Sequence, residues 1–104
     1  MYIFLFDTLS PGRGIAQACH ITQMITQEII HSFYKEIETP KYYIDYMIWS
    51  QEPIKIILQA SRTELDELKM SPGARFFIDD NETTVVSFYP GSICFDNVQN
   101  YKLF

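Results

Sequence analysis

The feature that most constrains this chain is an abrupt change of hydrophobic period near its start. Residues 2–6, YIFLF, are continuously apolar, and from about Gly12 the apolar residues Ala18, Ile21, Ile25, Ile29 and Phe33 recur at spacings of three and four, with Ile15 on the flank of the stripe. A continuous apolar run suits a strand buried on both faces, whereas the second spacing is that of an amphipathic helix, expected here to reach about Glu36. A buried strand that passes directly into a long helix is the opening of a layered α/β domain.

The rest of the sequence extends this reading. Thr39-Pro40 closes the helix, because the residue before a proline is driven out of the helical region. KYYIDYMIW follows with Tyr42, Tyr46 and Trp49 at helical spacing, and after Glu52-Pro53 the run IKIILQA (54–60) reads as a second central strand. Ser61-Arg62-Thr63-Glu64 has the spacing of a capping box and opens a short helix, TELDELKM. ARFFI (74–78) and TTVVSFY (83–89) read as strands separated by the turn DDNE, and the closing YKLF as an edge strand or docking tail. The expected architecture is one three-layer α/β domain over residues 1–104, a mixed sheet of about four strands covered by helices.

Composition narrows the function classes. A chain of 104 residues supports one core, and 47% hydrophobic with four glycines and five prolines excludes a disordered or collagenous chain. The net charge of −5 provides no overall basic field, and the eight basic residues are scattered singly, so a polyanion would need a local site. With no apolar run of the roughly 20 residues that span a bilayer, a soluble cytoplasmic protein with no membrane partner is expected. Cys19 and Cys94 are expected to be free thiols, since a domain with this hydrophobic complement needs no covalent staple.

The junction LSPGRGIAQACH (9–20) carries the chemistry. A glycine-containing turn ahead of a helix presents backbone N–H groups at the positive end of the helix dipole, a general anion site. The full dinucleotide fingerprint and the Gly-Lys-Ser/Thr ending of a phosphate loop are both absent, which argues against nucleotide binding. At 100° per residue Arg13, Gln17 and His20 fall within roughly 60° of one another, opposite the apolar stripe. A polar face is expected of any amphipathic helix, but this one gathers three different chemistries at the anion-favouring end. His31 lies on the same face roughly 16 Å from His20, too far to share a metal. No other His or Cys spacing suggests zinc, and no Gly-x-Ser-x-Gly elbow occurs.

An N-terminal apolar strand followed by SPGRGIAQACH resembles the type 2 peptidyl-tRNA hydrolases, whose signature is an apolar strand, a Gly-Lys turn and a helix opening Ala-Ala-Gln-x-x-His. On that match Gly12 and Arg13 take the Gly-Lys places, Ala16 and Gln17 the Ala-Gln places, and His20 the histidine. Trp49 ahead of PIKIIL, the acidic helix SRTELDEL, the final TTVVSFYP and the ending NYKLF fit the family in order along nearly the whole chain. The resemblance implies hydrolysis of the ester between a peptide and the 3′ end of tRNA, with peptidyl-tRNA as partner and no metal or other cofactor. It implies Arg13, Gln17 and Asp80 as catalytic residues, with Asp79 a second candidate for the acid and Gly12, His20 and Thr83 as substrate contacts. His20 is equally readable as a hydrogen-bonded structural histidine.

The chain departs from the family pattern at two points. Arginine stands where the family has lysine, and it can hold a phosphate or an oxyanion but does not release its proton near neutral pH. Only Asn81 and Glu82 separate Asp80 from Thr83, where the family carries a longer loop. Thr83 is as well explained by strand propensity as by a role in the site. These departures keep open a relative that binds or regulates without catalysis, and the aromatic segment 42–49 is a candidate surface for a partner or a homodimer.

Overall fold

The computed structural model describes residues 1–33, 41–91 and 98–104. Strand β1 (Tyr2–Phe6) leads into helix α1 (Pro11–Phe33), followed by α2 (Lys41–Gln51), β2 (Ile56–Ala60), α3 (Arg62–Leu68), β3 (Arg75–Asp79) and β4 (Glu82–Ser87), with a short 3-10 turn at Val98–Asn100. The sheet order is β2-β1-β4-β3; β1 and β2 run parallel, and the other neighbours are antiparallel. This is the expected mixed four-stranded sheet with helices on both faces. No helix among the described residues is long and apolar enough to cross a membrane.

Alternation along β1 divides the core. Ile3 and Leu5 face α1 and pack with Ala18, Ile21, Ile25, Ile29 and Val85. Phe4 faces the other way and packs with Leu58, Leu65, Leu68, Val86 and Phe88 beneath α3. Ile21, Ile25 and Ile29 are fully buried, so the stripe read from spacing is the core face of α1, while Ile15 on its flank is exposed. The side chain of Phe33, the segment to Glu36 and Cys94 lie outside the described residues. The second helix packs on α1 through Tyr43 and Tyr46, and the third opens with both halves of its capping box formed between Ser61 and Glu64.

The junction after β1 is tighter than a glycine-rich loop. The helix begins at Pro11, whose fixed φ suits the first helical position, and Gly12, Arg13 and Gly14 already lie within its first turn. Ser10 caps it, with Oγ accepting from Arg13 N and its carbonyl from Gly14 N. Most of the turn's N–H groups are therefore committed or, at Pro11, missing. Gly14 is small for a reason: a Cβ there would stand 2.5 Å from the Phe104 ring.

The two flanks of the sheet are finished differently. IKIILQA reads as a central strand, yet β2 is the last strand in the sheet order, and its outer side is covered by the chain's own tail. Gln59 N donates to Lys102 O (2.7 Å), Phe104 N donates to Ile57 O (3.0 Å), and Leu103 bridges Leu58 in antiparallel sense. On the opposite flank no described residue pairs with the outer edge of β3. β3 and β4 are joined by Asp80 (φ 51°) and Asn81 (φ 64°), a two-residue turn in the left-handed region that Asp and Asn tolerate best.

Candidate functional site

Strand β3 supplies the second wall of the candidate site by simple alternation. Arg75, Phe77 and Asp79 turn toward α1: Arg75 meets Glu28, Phe77 packs on the α1 core, and Asp79 meets Arg13. The Arg13 guanidinium donates from Nη2 to Asp79 Oδ2 at 2.5 Å, and both side chains remain about half exposed. Two turns further along α1, His20 sets its ring against Phe77 with centroids 6.0 Å apart and planes at 70°. Between them Gln17, His20, Phe77, Ile78 and Asp79 line an open cleft of about 360 Å³.

Gln17 gives the cleft its most informative atom. Its Oε1 is buried and finds no hydrogen-bond partner among the described residues. Buried polar atoms are nearly always paired, and one left unpaired costs roughly 1–3 kcal/mol. Because this oxygen is shielded from solvent, a ligand N–H or O–H reaches it only if the Gln17 side chain turns toward the cleft that its residue lines. Arg13 retains N–H donors beyond the one given to Asp79, since a guanidinium has five. The cleft thus combines a carboxylate, an amide side chain and an imidazole, with a cation beside it on the carboxylate. Among the described residues, no group of three or more His, Cys, Asp or Glu side chains is arranged to hold a metal.

No family model, curated protein or solved structure matches this chain.

The structure brings Arg13, Gln17, His20 and Asp79 together and places the remaining sequence candidates elsewhere. Asp80 occupies the left-handed turn and is exposed, so the acid that faces Arg13 is Asp79. Gly12 lies at the start of α1 with nothing within 4 Å of where a Cβ would be, so its neighbourhood leaves room for a side chain or a ligand. Thr83 is on the opposite face: its Oγ1 accepts from Lys69 Nζ at 3.4 Å and its carbonyl accepts from Arg62, both on the α3 side. The cause is an irregularity in the β3–β4 register. Phe77 pairs with Val85 and Ile78 with Thr83, so Thr84 is an extra residue that reverses the facing of Thr83.

Two features escaped the sequence reading. Phe77 forms the aromatic wall against His20, and a second polar cluster joins α1 to the start of β3. There Arg75 Nε donates to Glu28 Oε2 (2.6 Å), Tyr89 OH donates to the same oxygen (3.0 Å), and Arg75 Nη2 approaches Tyr89 OH (3.0 Å). Burial, reinforced by the bond to Glu28, pushes the Tyr89 phenol above its usual 10.0. Burial is the largest single influence on Arg75 and works against its charge, but the hydrogen bonds and charges of Glu28 and Tyr89 together outweigh it and raise the guanidinium. On the far flank of α1 a groove of about 380 Å³, lined by Ile3, Ile15, Ala18, Cys19 and Ile57, offers mainly apolar walls with Lys55 at the rim.

Proposed function

We propose that this chain hydrolyses the ester that joins a peptide to the 3′ end of tRNA. The observation that carries the proposal is the open cleft lined by Gln17, His20 and Asp79, with Arg13 brought beside it by its ion pair to Asp79. The resemblance of SPGRGIAQACH to the type 2 peptidyl-tRNA hydrolases supplies the substrate. In this reading a water held by Asp79 attacks the ester carbonyl carbon and gives its proton to the carboxylate. Arg13 stabilises the oxyanion, and Gln17 accepts a hydrogen bond from the substrate. The carbon–oxygen bond to the ribose then breaks, and the ribose oxygen takes up the proton. Asp79 takes the role that the resemblance gives first to Asp80, because it is the carboxylate in contact with Arg13.

An N-blocked aminoacyl-tRNA incubated with the purified protein tests this directly. Release of the blocked amino acid at a rate well above spontaneous hydrolysis is expected, and it is expected to fall about 100-fold or more in Arg13→Ala, the scale on which removal of an oxyanion donor acts. Absence of cleavage under conditions where a known hydrolase is active sinks the reading.

One observation favours a second reading, a module that binds the tRNA end without cleaving it. Asp80 and Asn81 are the whole connection between β3 and β4, so the cleft lacks the longer loop of the family, and Asp79 is already engaged by Arg13. Binding of tRNA without cleavage, weakening steeply with salt, would identify that case.

A further inference from the structure

The geometry points to a homodimer in which the β3 edge of one copy pairs antiparallel with the β3 edge of a second, with Phe77 opposite its own symmetry mate. The inference does not depend on the hydrolase reading.

The sequence of β3, Arg-Phe-Phe-Ile-Asp, is complementary to itself when reversed. Centred on Phe77, antiparallel pairing sets Arg75 opposite Asp79 of the partner subunit and Asp79 opposite Arg75 of the partner subunit. It also sets Phe76 opposite Ile78 of the partner subunit. Directly opposed residues on one face of an antiparallel pair interact, favourably for opposite charges and for apolar pairs. Shifting the register by one residue would turn charged positions onto the apolar face.

The edge is prepared for such a partner. The opposite flank of the sheet is covered by residues 102–104, whereas among the described residues nothing pairs outside β3. An uncovered edge is a template for strand pairing. On the α3 face of this edge Phe76, with Lys69 over its ring, and Ile78, at the margin of the cleft, are still 39% and 58% exposed, an apolar pair left open to a neighbour. On the α1 face the charges already alternate, because Glu28 holds Arg75 and Arg13 holds Asp79. Dimerisation would join these two pairs into one row: Glu28, Arg75, Asp79 of the partner subunit, Arg13 of the partner subunit. No like charges become neighbours along it. A two-fold axis perpendicular to the sheet leaves both α1 helices on the same face, with each cleft bordering the junction through Phe77, Ile78 and Asp79.

Sedimentation velocity on the full chain over a dilution series tests the proposal, with Ile78→Lys and Phe76→Lys run alongside. The expected result is a species of about 24 kDa, twice the 12.2 kDa of one chain, that dissociates on dilution. Each lysine variant is expected to sediment as a monomer, and Ile78→Lys to melt as the unaltered chain does at dilutions where it is dissociated, since association itself raises the melt. Backbone amide exchange checks the register: protection at Phe76 and Ile78 is expected to rise with protein concentration. A chain that stays monomeric at every concentration overturns the proposal, whatever else binds the edge. So does a dimer indifferent to both lysines, or one whose concentration-dependent protection lies outside β3.

Discussion

The seam between α1 and β3 is closed by an arginine–carboxylate pair at each end, and the two ends differ in how completely their polar atoms are used. At the β3 start, Glu28, Arg75 and Tyr89 form a closed set in which one carboxylate oxygen accepts from two donors. At the β3 end, Arg13 and Asp79 are more exposed, Gln17 Oε1 is buried without a donor, and an open cleft lies alongside. A closed network holds the helix to the strand; one with spare acceptors and donors keeps capacity for a ligand. The first end is therefore expected to govern stability and the second activity.

The largest separation is expected from Arg13. Arg13→Ala should lose ester cleavage about 100-fold or more while chemical denaturation shifts by less than about 1 kcal/mol, because half-exposed ion pairs contribute little. Arg13→Lys should retain much of the rate, since only a fixed positive charge is needed. A loss equal to that of alanine would show that the arginine fork itself is required. Glu28→Ala should do the reverse and destabilise by roughly 1–3 kcal/mol, because it leaves two partly buried donors without their shared acceptor. Cleavage per folded molecule should be unchanged. If Glu28→Ala abolishes activity in a fully folded protein, the two ends are not separable.

Smaller effects sharpen the contrast. Gln17→Leu removes the unpaired acceptor and should stabilise the fold by about 1 kcal/mol in a thermal melt while weakening catalysis, the trade expected of an atom reserved for a ligand. At the closed end, alkaline pH is the probe. The Tyr89 phenol titrates above 10.0 in the folded chain, so on raising pH the unfolded chain loses its proton first. The contribution of Tyr89 is fully present below that value and declines as pH rises through the folded-state titration. Tyr89→Phe should flatten part of this decline. Tyr101, also raised by burial and by Glu64 and Glu67, accounts for a further part.

Much of the frame was legible in the sequence because it rests on local periodicity. The unbroken run of β1, the stripe Ala18–Ile21–Ile25–Ile29 and the Ser61–Glu64 capping box each follow from spacing alone, and each is found. The shared face of Arg13, Gln17 and His20 is a helical angle and was equally readable. Features set by distant partners were not. The bond from Arg75 to Glu28 spans 47 positions, and no local spacing announces it. IIL at 56–58 has the composition of a central strand because its side chains enter both core clusters, Ile57 on the α1 side and Ile56 and Leu58 on the α3 side, while the distant tail supplies the partners of its outer edge.

Asp79 and Asp80 lie between these cases. A turn of two residues needs positive φ at both, which assigns Asp80 and Asn81 to the turn and leaves Asp79 on the strand. Alternation from Phe77 then points Asp79 at α1. That signal was present in the sequence but could be used only once the turn's length was known. Thr83 was beyond reach, because the extra residue at Thr84 reverses its facing and TTVV carries no mark of a bulge.

The most direct test compares these two neighbouring acids. Cleavage of N-blocked aminoacyl-tRNA would be timed for the unaltered chain, Asp79→Asn and Asp80→Asn. Asparagine tolerates the left-handed turn, so both variants should fold. Asp79→Asn is expected to lower the rate about 100-fold or more, as removal of a general base does, with Asp80→Asn close to the unaltered chain. The reverse order, or equal rates in all three, would contradict the assignment of the chemistry to the Arg13–Asp79 cleft.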